Sequence, residues 1–148
     1  MALTIEIVTV ERVVRTERDV EVLIAPGSEG QLAILPRHAA LMTTIEPGIL
    51  TFRRAGVEED FVLAGGFMEV RNDRVTILAD AAEAAEEIDV ERAEAARQRA
   101  QERVKQAMEN PTLGMDLARA QSSLQRSLIR LRAVDKMRRR RTDARPRM

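Results

Sequence analysis

The sequence predicts a β-rich first domain followed by an antiparallel two-helix hairpin. Three observations carry this reading. Residues 1–84 consist of short runs of alternating apolar and polar side chains, broken by Gly and Pro. Residues 85–148 are dominated by Ala, Arg, Leu, Glu and Gln, with one Pro–Gly break. Between the two lies Ile88-Asp89-Val90-Glu91-Arg92-Ala93, which has the composition of a helix start. Asp89 is a favoured N-cap, because its carboxylate can accept free amide protons of the first turn. Ile88 and Ala93 fit the two ends of a weak hydrophobic staple. Glu91 suits the positive end of the helix dipole and Arg92 does not, so Arg92 calls for a reason other than helix stability.

The strands follow in order. Residues 3–10 place Leu3, Ile5 and Ile7 on one face, the pattern of a half-buried strand. Short runs at 13–16 and 19–25 come next. Pro26-Gly27-Ser28-Glu29-Gly30 is a turn; it lacks the Lys-Ser/Thr ending and the following helix of a phosphate loop. Further short strands are expected at 32–35, 41–45, 49–53, 60–63, 67–70 and 75–78. Pro36, Pro47-Gly48, Gly56, Gly65-Gly66 and the hairpin turn Asn72-Asp73 separate them. Nine or ten strands so closely spaced read as a sandwich or a flattened barrel. Residues 81–87 read as a linker.

A first helix is expected over about 90–108, with a narrow stripe of Ala93, Ala96, Ala100, Val104 and Ala107. Asn110, Pro111 and Gly114 break it. A second helix is expected over about 115–137, with the stripe Leu117, Ala120, Leu124, Leu128 and Leu131. Two helices joined by a short break make an antiparallel hairpin. Residues 138–141 and the Pro-containing end read as a disordered basic tail, either simply solvated or able to bind nucleic acid.

Composition narrows the function classes. No Cys occurs, so neither a disulfide framework nor a Cys-based metal site can form. No apolar run approaches the length of a membrane span and no signal peptide is evident, so the chain reads as soluble and cytoplasmic. Trp and Tyr are absent and only three Phe occur, which weighs against stacking platforms for single-stranded nucleic acid. His38 is the only histidine and sits beside a Pro turn, where a surface or packed role outweighs a ligand role. No nucleophile–base pair and no metal cluster stands out.

Charge is split. Residues 1–84 carry 8 basic and 14 acidic side chains, a balance of −6, while residues 85–148 carry 16 and 10, a balance of +6. From Asp116 onward there are 11 basic and 3 acidic residues, or +8. An acidic sheet half and a basic helical half imply different partners. Arg92 and Arg99 are two turns apart on one face, and Arg126 and Arg130 are one turn apart on one face. Folding the hairpin gathers these four guanidinium groups. They are then either a phosphate site, for which the Arg fork is suited, or solvated helix faces.

Over almost its whole length, to about Lys136, the chain resembles the epsilon subunit of bacterial F-type ATP synthase. The resemblance is carried in order by Gly27-Ser28-Glu29-Gly30, Ile34-Leu35-Pro36 with His38, and Ile45-Glu46-Pro47-Gly48. It continues through Gly65-Gly66-Phe67-Met68-Glu69-Val70, Val75-Thr76-Ile77-Leu78-Ala79 and Ile88-Asp89-Val90-Glu91-Arg92-Ala93. Ala33 and Arg37 stand where relatives often have Gly, the break between the helices is longer, and the basic end is extra. The resemblance implies a ten-stranded β-sandwich, residues 1–84, followed by a helical hairpin with a basic tail, residues 85–148. It implies a non-catalytic rotor-stalk subunit with no required cofactor. Its partners would be the gamma subunit, the ring of c subunits, approached by Ser28, Glu29 and Gln31, and a catalytic beta subunit. Nucleic acid is not among them. It would lie at the cytoplasmic face of the cell membrane, held there only through the complex. The resemblance further implies a hairpin that inhibits ATP hydrolysis and can bind ATP as a regulatory ligand. The matching positions are Glu83, Ile88, Asp89, Arg92, Ala93, Arg99, Arg126 and Arg130. A purely structural coupling subunit without nucleotide sensing is the alternative.

Overall fold

The structure is a computed structural model that describes residues 2–110 and 116–143. The chain divides into two compact units, Met1–Ala85 and Glu86–Met148.

The first unit holds ten strands: β1 (Leu3–Val8), β2 (Val13–Val20), β3 (Val22–Gly27), β4 (Gly30–Ile34), β5 (Leu41–Ile45), β6 (Gly48–Arg54), β7 (Val57–Leu63), β8 (Gly66–Arg71), β9 (Arg74–Ala79) and β10 (Ala82–Ala84). They form one sheet in the order β10-β7-β6-β3-β5-β8-β9-β1-β2, with β4 paired to β3. Every pairing is antiparallel except β1 with β9. The sheet folds over on itself as a sandwich close to a barrel, so that Arg15 of β2 reaches Glu59 of β7 at 3.1 Å.

The alternation in the sequence is what this fold uses. Leu3, Ile5 and Ile7 are fully buried while their neighbours are not. Leu23 and Ala25 of β3, Met68 and Val70 of β8, and Val75 and Ile77 of β9 join them in one core. Phe52 and Phe61 stack at its centre with ring centroids 6.1 Å apart. Each such side chain stabilises the fold by roughly 1.5–3 kcal/mol through lost apolar contact with water. One polar pair is buried among them: the Thr51 hydroxyl donates to Asp60 Oδ1 at 2.6 Å.

Several strands differ from expectation. The run expected at 13–16 continues through Val20, so Asp19 and Val20, expected to open the strand at 19–25, close β2 instead and β3 begins at Val22. The run expected at 60–63 begins at Val57, because Ala55 and Gly56 both have positive φ (51° and 74°) and make a two-residue turn. Pairing therefore starts directly at Arg54 with Val57. Asn72 and Asp73 do the same for β8 and β9, with φ of 50° and 62°. The stretch read as a linker contains β10, which pairs with β7, and a 3-10 turn at Ala85–Glu87. Ala and Glu give a three-residue strand no local signature; the open edge of β7 recruits it.

The second unit contains α1 (Val90–Glu109) and α2 (Leu117–Asp143). The break expected at Pro111 to Gly114 and a helix start at Met115 fall on residues 111–115, outside the described residues. Asp116 caps α2, its Oδ1 accepting the Arg119 amide at 3.1 Å. The tail expected from Arg138 is instead helical through Asp143. Arg139 pairs with Asp135 one turn back at 3.0 Å, and Arg141 reaches Glu86 at 3.3 Å. Arg140 and Arg141 also sit at the negative end of the helix dipole, which favours cations. The Pro-containing end, 144–148, lies outside the described residues.

The α1 stripe is buried at Ala93, Ala100 and Ala107, each seven residues from the next. The α2 stripe is shifted from the expected leucines. Ala120, Ser127 and Val134 are buried, again at steps of seven, while Leu128 is 41% exposed. Each step of four advances a helix by about 40°, so Ala120 to Leu124 to Leu128 walks off the contact line. Ser127 tolerates burial because its hydroxyl donates to the Ser123 carbonyl at 3.1 Å.

Candidate functional site

Small residues on the facing stripes let α1 and α2 approach closely, and their flanks then form a groove. Its lining is Ala96, Arg99, Ala100 and Arg103 from α1 with Ser123, Arg126, Ser127 and Arg130 from α2, around a volume of about 320 Å³. Arg99 and Arg103 are one turn apart, as are Arg126 and Arg130, so each helix contributes a pair of guanidinium groups to the same side. No carboxylate lines the groove among the described residues. Arg126 donates to Ser123 Oγ at 3.1 Å, which steadies one of the four. The arrangement suits a multiply charged anion, which Arg can grip through paired N–H donors.

Three of the arginines singled out from sequence, Arg99, Arg126 and Arg130, therefore share this groove. Arg92 does not line it; it lies two turns nearer the start of α1, about 10.5 Å along the axis from Arg99. Arg103 takes the fourth place. Sequence reasoning passed over it, although its spacing from Arg99 repeats that of Arg126 and Arg130.

The other positions occupy different places. Asp89 is the N-cap of α1, with Oδ1 accepting the Arg92 amide at 3.1 Å. Arg92 thus contributes its backbone to the cap while its side chain is exposed. Ile88 and Ala93 are buried, at 8% and 0% exposure. Glu83 lies in β10 and is half-buried. Ser28, Glu29 and Gln31 are exposed at the β3–β4 hairpin, where Gly30 has a φ of 117° that favours glycine. His38 is half-buried at the Pro36 turn, with Nδ1 2.7 Å from the Ala39 carbonyl.

Charge on α1 is partly paired away from the groove. Glu94 and Arg97 form an ion pair, and the hydrogen bond from Arg97 holds the Glu94 carboxyl below the ordinary glutamate range. The sheet carries a second exposed feature. Thr44, Phe67 and Leu78 stand in one cross-strand row, with Phe67 and Leu78 more than half exposed and Met42 exposed on the same strand as Thr44. Among the described residues no group of His, Asp or Glu could hold a metal ion, and no helix is long and apolar enough to cross a membrane.

Comparison with known proteins adds the family. Residues 2–85 match the model of the ATP synthase delta/epsilon chain β-sandwich domain, and residues 86–135 that of its long α-helix domain. An ATP synthase epsilon chain of Herpetosiphon aurantiacus is 49% identical over 141 residues, covering 95% of this chain and 99% of the relative. One from Dehalococcoides mccartyi is 46% identical over 136 residues, covering 92% and 94%. Among solved structures, a chain in the cryo-EM structure of the Euglena gracilis mitochondrial ATP synthase (OSCP/F1/c-ring) superposes with a TM-score of 0.73. It is 21% identical, covers 92% of this chain and 81% of its own, and shares the fold. With residues 2–85 and 86–135 matched in order, the chain belongs to the delta/epsilon family of ATP synthase, as an epsilon-type, non-catalytic subunit.

Proposed function

We propose that this chain works on the central rotor stalk, coupling the catalytic head to the c ring, and that its helical hairpin senses ATP and restrains ATP hydrolysis. The observation that carries the sensing is the groove in which Arg99, Arg103, Arg126 and Arg130 line one side of the helix pair. Bound ATP neutralises these charges and favours the closed hairpin. Without it, repulsion among them favours opening, and the +8 stretch from Asp116 onward becomes available to an acidic segment of the beta subunit. A ligand shifts such an equilibrium only by its difference in affinity for the two states, about 1.4 kcal/mol for each factor of ten. The exposed row containing Phe67 and Leu78 suits an apolar surface of the gamma subunit, and the hairpin tip at Ser28, Glu29 and Gln31 is offered to the c ring. Attachment to the cytoplasmic face of the membrane then follows through the complex alone.

The test is ATP titration of the full chain by calorimetry, with Arg126→Glu and Arg130→Glu together as the variant. Saturable binding that the double variant abolishes is expected; intact binding in the variant removes the groove from the mechanism. A purely structural coupling role is the second reading. It is favoured by Asp89, whose carboxylate serves the helix cap, and by the buried Ala93. In the assembled complex, unchanged hydrolysis on removing the residues after Asp89 decides for it.

A further inference from the structure

We infer that the basic end of α2 is a charge latch: it pairs with the acidic start of the second unit and holds the hairpin shut at its root. The latch is distinct from the groove between the helices, and it works with no ligand bound.

The sequence sets two blocks of opposite charge at the two ends of this unit. Residues 86–91 carry Glu86, Glu87, Asp89 and Glu91 and no basic side chain. Residues 136–141 carry Lys136, Arg138, Arg139, Arg140 and Arg141 and no acidic one. An antiparallel hairpin returns its last turn to where it began, so blocks far apart in sequence meet. Arg141 Nη2 donates to Glu86 Oε1 at 3.3 Å, a contact that closes 55 residues of chain. The returning helix has the length for it. The family match ends at residue 135, whereas α2 runs on to Asp143, about 12 Å further along its axis. Arg139, paired with Asp135 one turn back at 3.0 Å, supports the helical form of that extension.

Each block also stands where its own helix favours it. Glu91 is in the first turn of α1, and Arg140 and Arg141 are in the last turn of α2. A single exposed ion pair shifts an equilibrium by about fivefold at most. Lys136 to Arg141 spans only about 7.5 Å of helix axis, inside the screening length of about 10 Å at 0.1 M salt. The basic block therefore acts on the acidic start as a group, with the Arg141–Glu86 pair as its point of contact.

The experiment is native-state hydrogen exchange of the full chain, followed by NMR at the amides of residues 129–134 with no nucleotide added. A helix released from its partner loses most of its protection, because packing supplies most helical stability, so exchange there reads opening of the hairpin. The variants are Glu86→Arg, Arg141→Glu, the two together, and a fourth protein in which Arg138, Arg139, Arg140 and Arg141 are all Gln. Gln matches Arg closely in helix propensity, so the fourth removes charge and keeps the helix. Circular dichroism confirms that each is folded, and the four-Gln protein serves if a reversal is not. At low salt each single reversal should speed exchange by about threefold or more, and the four-Gln protein should exchange about tenfold faster. Each reversal also sets a charge against its helix dipole, a cost the double variant keeps in full. Direct pairing alone makes the double variant at least about threefold slower than the product of the single effects. In about 1 M salt, where screening acts within about 3 Å, all the proteins should converge. Single effects that simply multiply, differences that persist undiminished in high salt, or unchanged exchange in the four-Gln protein overturn the inference.

Discussion

Gly66→Ala should be among the most damaging small substitutions in the first unit. Gly66 opens β8, opposite Ile45 on one side and Ala79 on the other. Its φ is 146°, and a Cβ placed there would stand 2.0 Å from the Leu78 carbonyl oxygen and 2.9 Å from the Ala79 Cα. Both are main-chain atoms of β9, so no side chain can swing away to make room. Holding an alanine in that conformation costs on the order of 1–3 kcal/mol. Forcing β8 and β9 apart costs roughly 1–3 kcal/mol more. For a unit of this size each kcal/mol lowers the melting midpoint by about 4–8 °C, so a fall of about 10 °C or more is expected. Gly30→Ala is the internal control. Its φ is 117° but nothing lies within 4 Å of the added Cβ, so it bears only the backbone cost. Thermal unfolding of the full chain, followed by circular dichroism and calorimetry, measures both. A Gly66→Ala midpoint no lower than that of Gly30→Ala would refute the steric argument.

Asp89→Ala should destabilise the second unit by about 1 kcal/mol while Asp89→Asn changes little, because either Asp or Asn can accept the Arg92 amide; helical melting separates the two. Ser127→Leu should overpack the helix contact at roughly 1–3 kcal/mol, whereas Leu128→Ser stays within about 0.5 kcal/mol. Equal effects in chemical denaturation would restore the leucine stripe read from sequence. The hydrogen bond from Arg53 and the Gly56 amide hold the Glu21 carboxyl below its ordinary range. Its folded pKa being depressed, its contribution is present above the unfolded pKa and is lost as pH falls through the folded one. NMR titration of the Glu21 carboxyl should show this low midpoint, and Arg53→Ala should move it back up.

The sheet was legible because its physics is local. Leu3, Ile5 and Ile7 alternate, and Asn72-Asp73 marks its own turn. β10 was not, since Ala82, Glu83 and Ala84 become a strand only through the free edge of β7. In the helices, the alanine stripe of α1 was legible because one register buries it. The α2 face was misread because leucine outranks serine in hydropathy, while the positions that are buried are Ala120, Ser127, Ile129, Ala133 and Val134. The basic end looked disordered from charge alone; Asp135 and Glu86 supply the counter-charges that residue counting overlooks. Of the groove, three arginines were legible from spacing, and Arg103 needed the flanks of both helices in view.

The parallel pairing of β1 with β9 bears on how the first unit is made. Thr4 through Val8 lie beside Arg74 through Leu78, so a strand that leaves the ribosome first waits for one made some seventy residues later. Until then β1 has β2 on one side and an unsatisfied row of amides and carbonyls on the other. Contacts so distant along the chain make folding slow and leave that edge open to other strands in the meantime. Ribosome-stalled chains ending before residue 74 should accordingly be protease-sensitive and prone to self-association, while chains long enough to release β9 should snap into a resistant form.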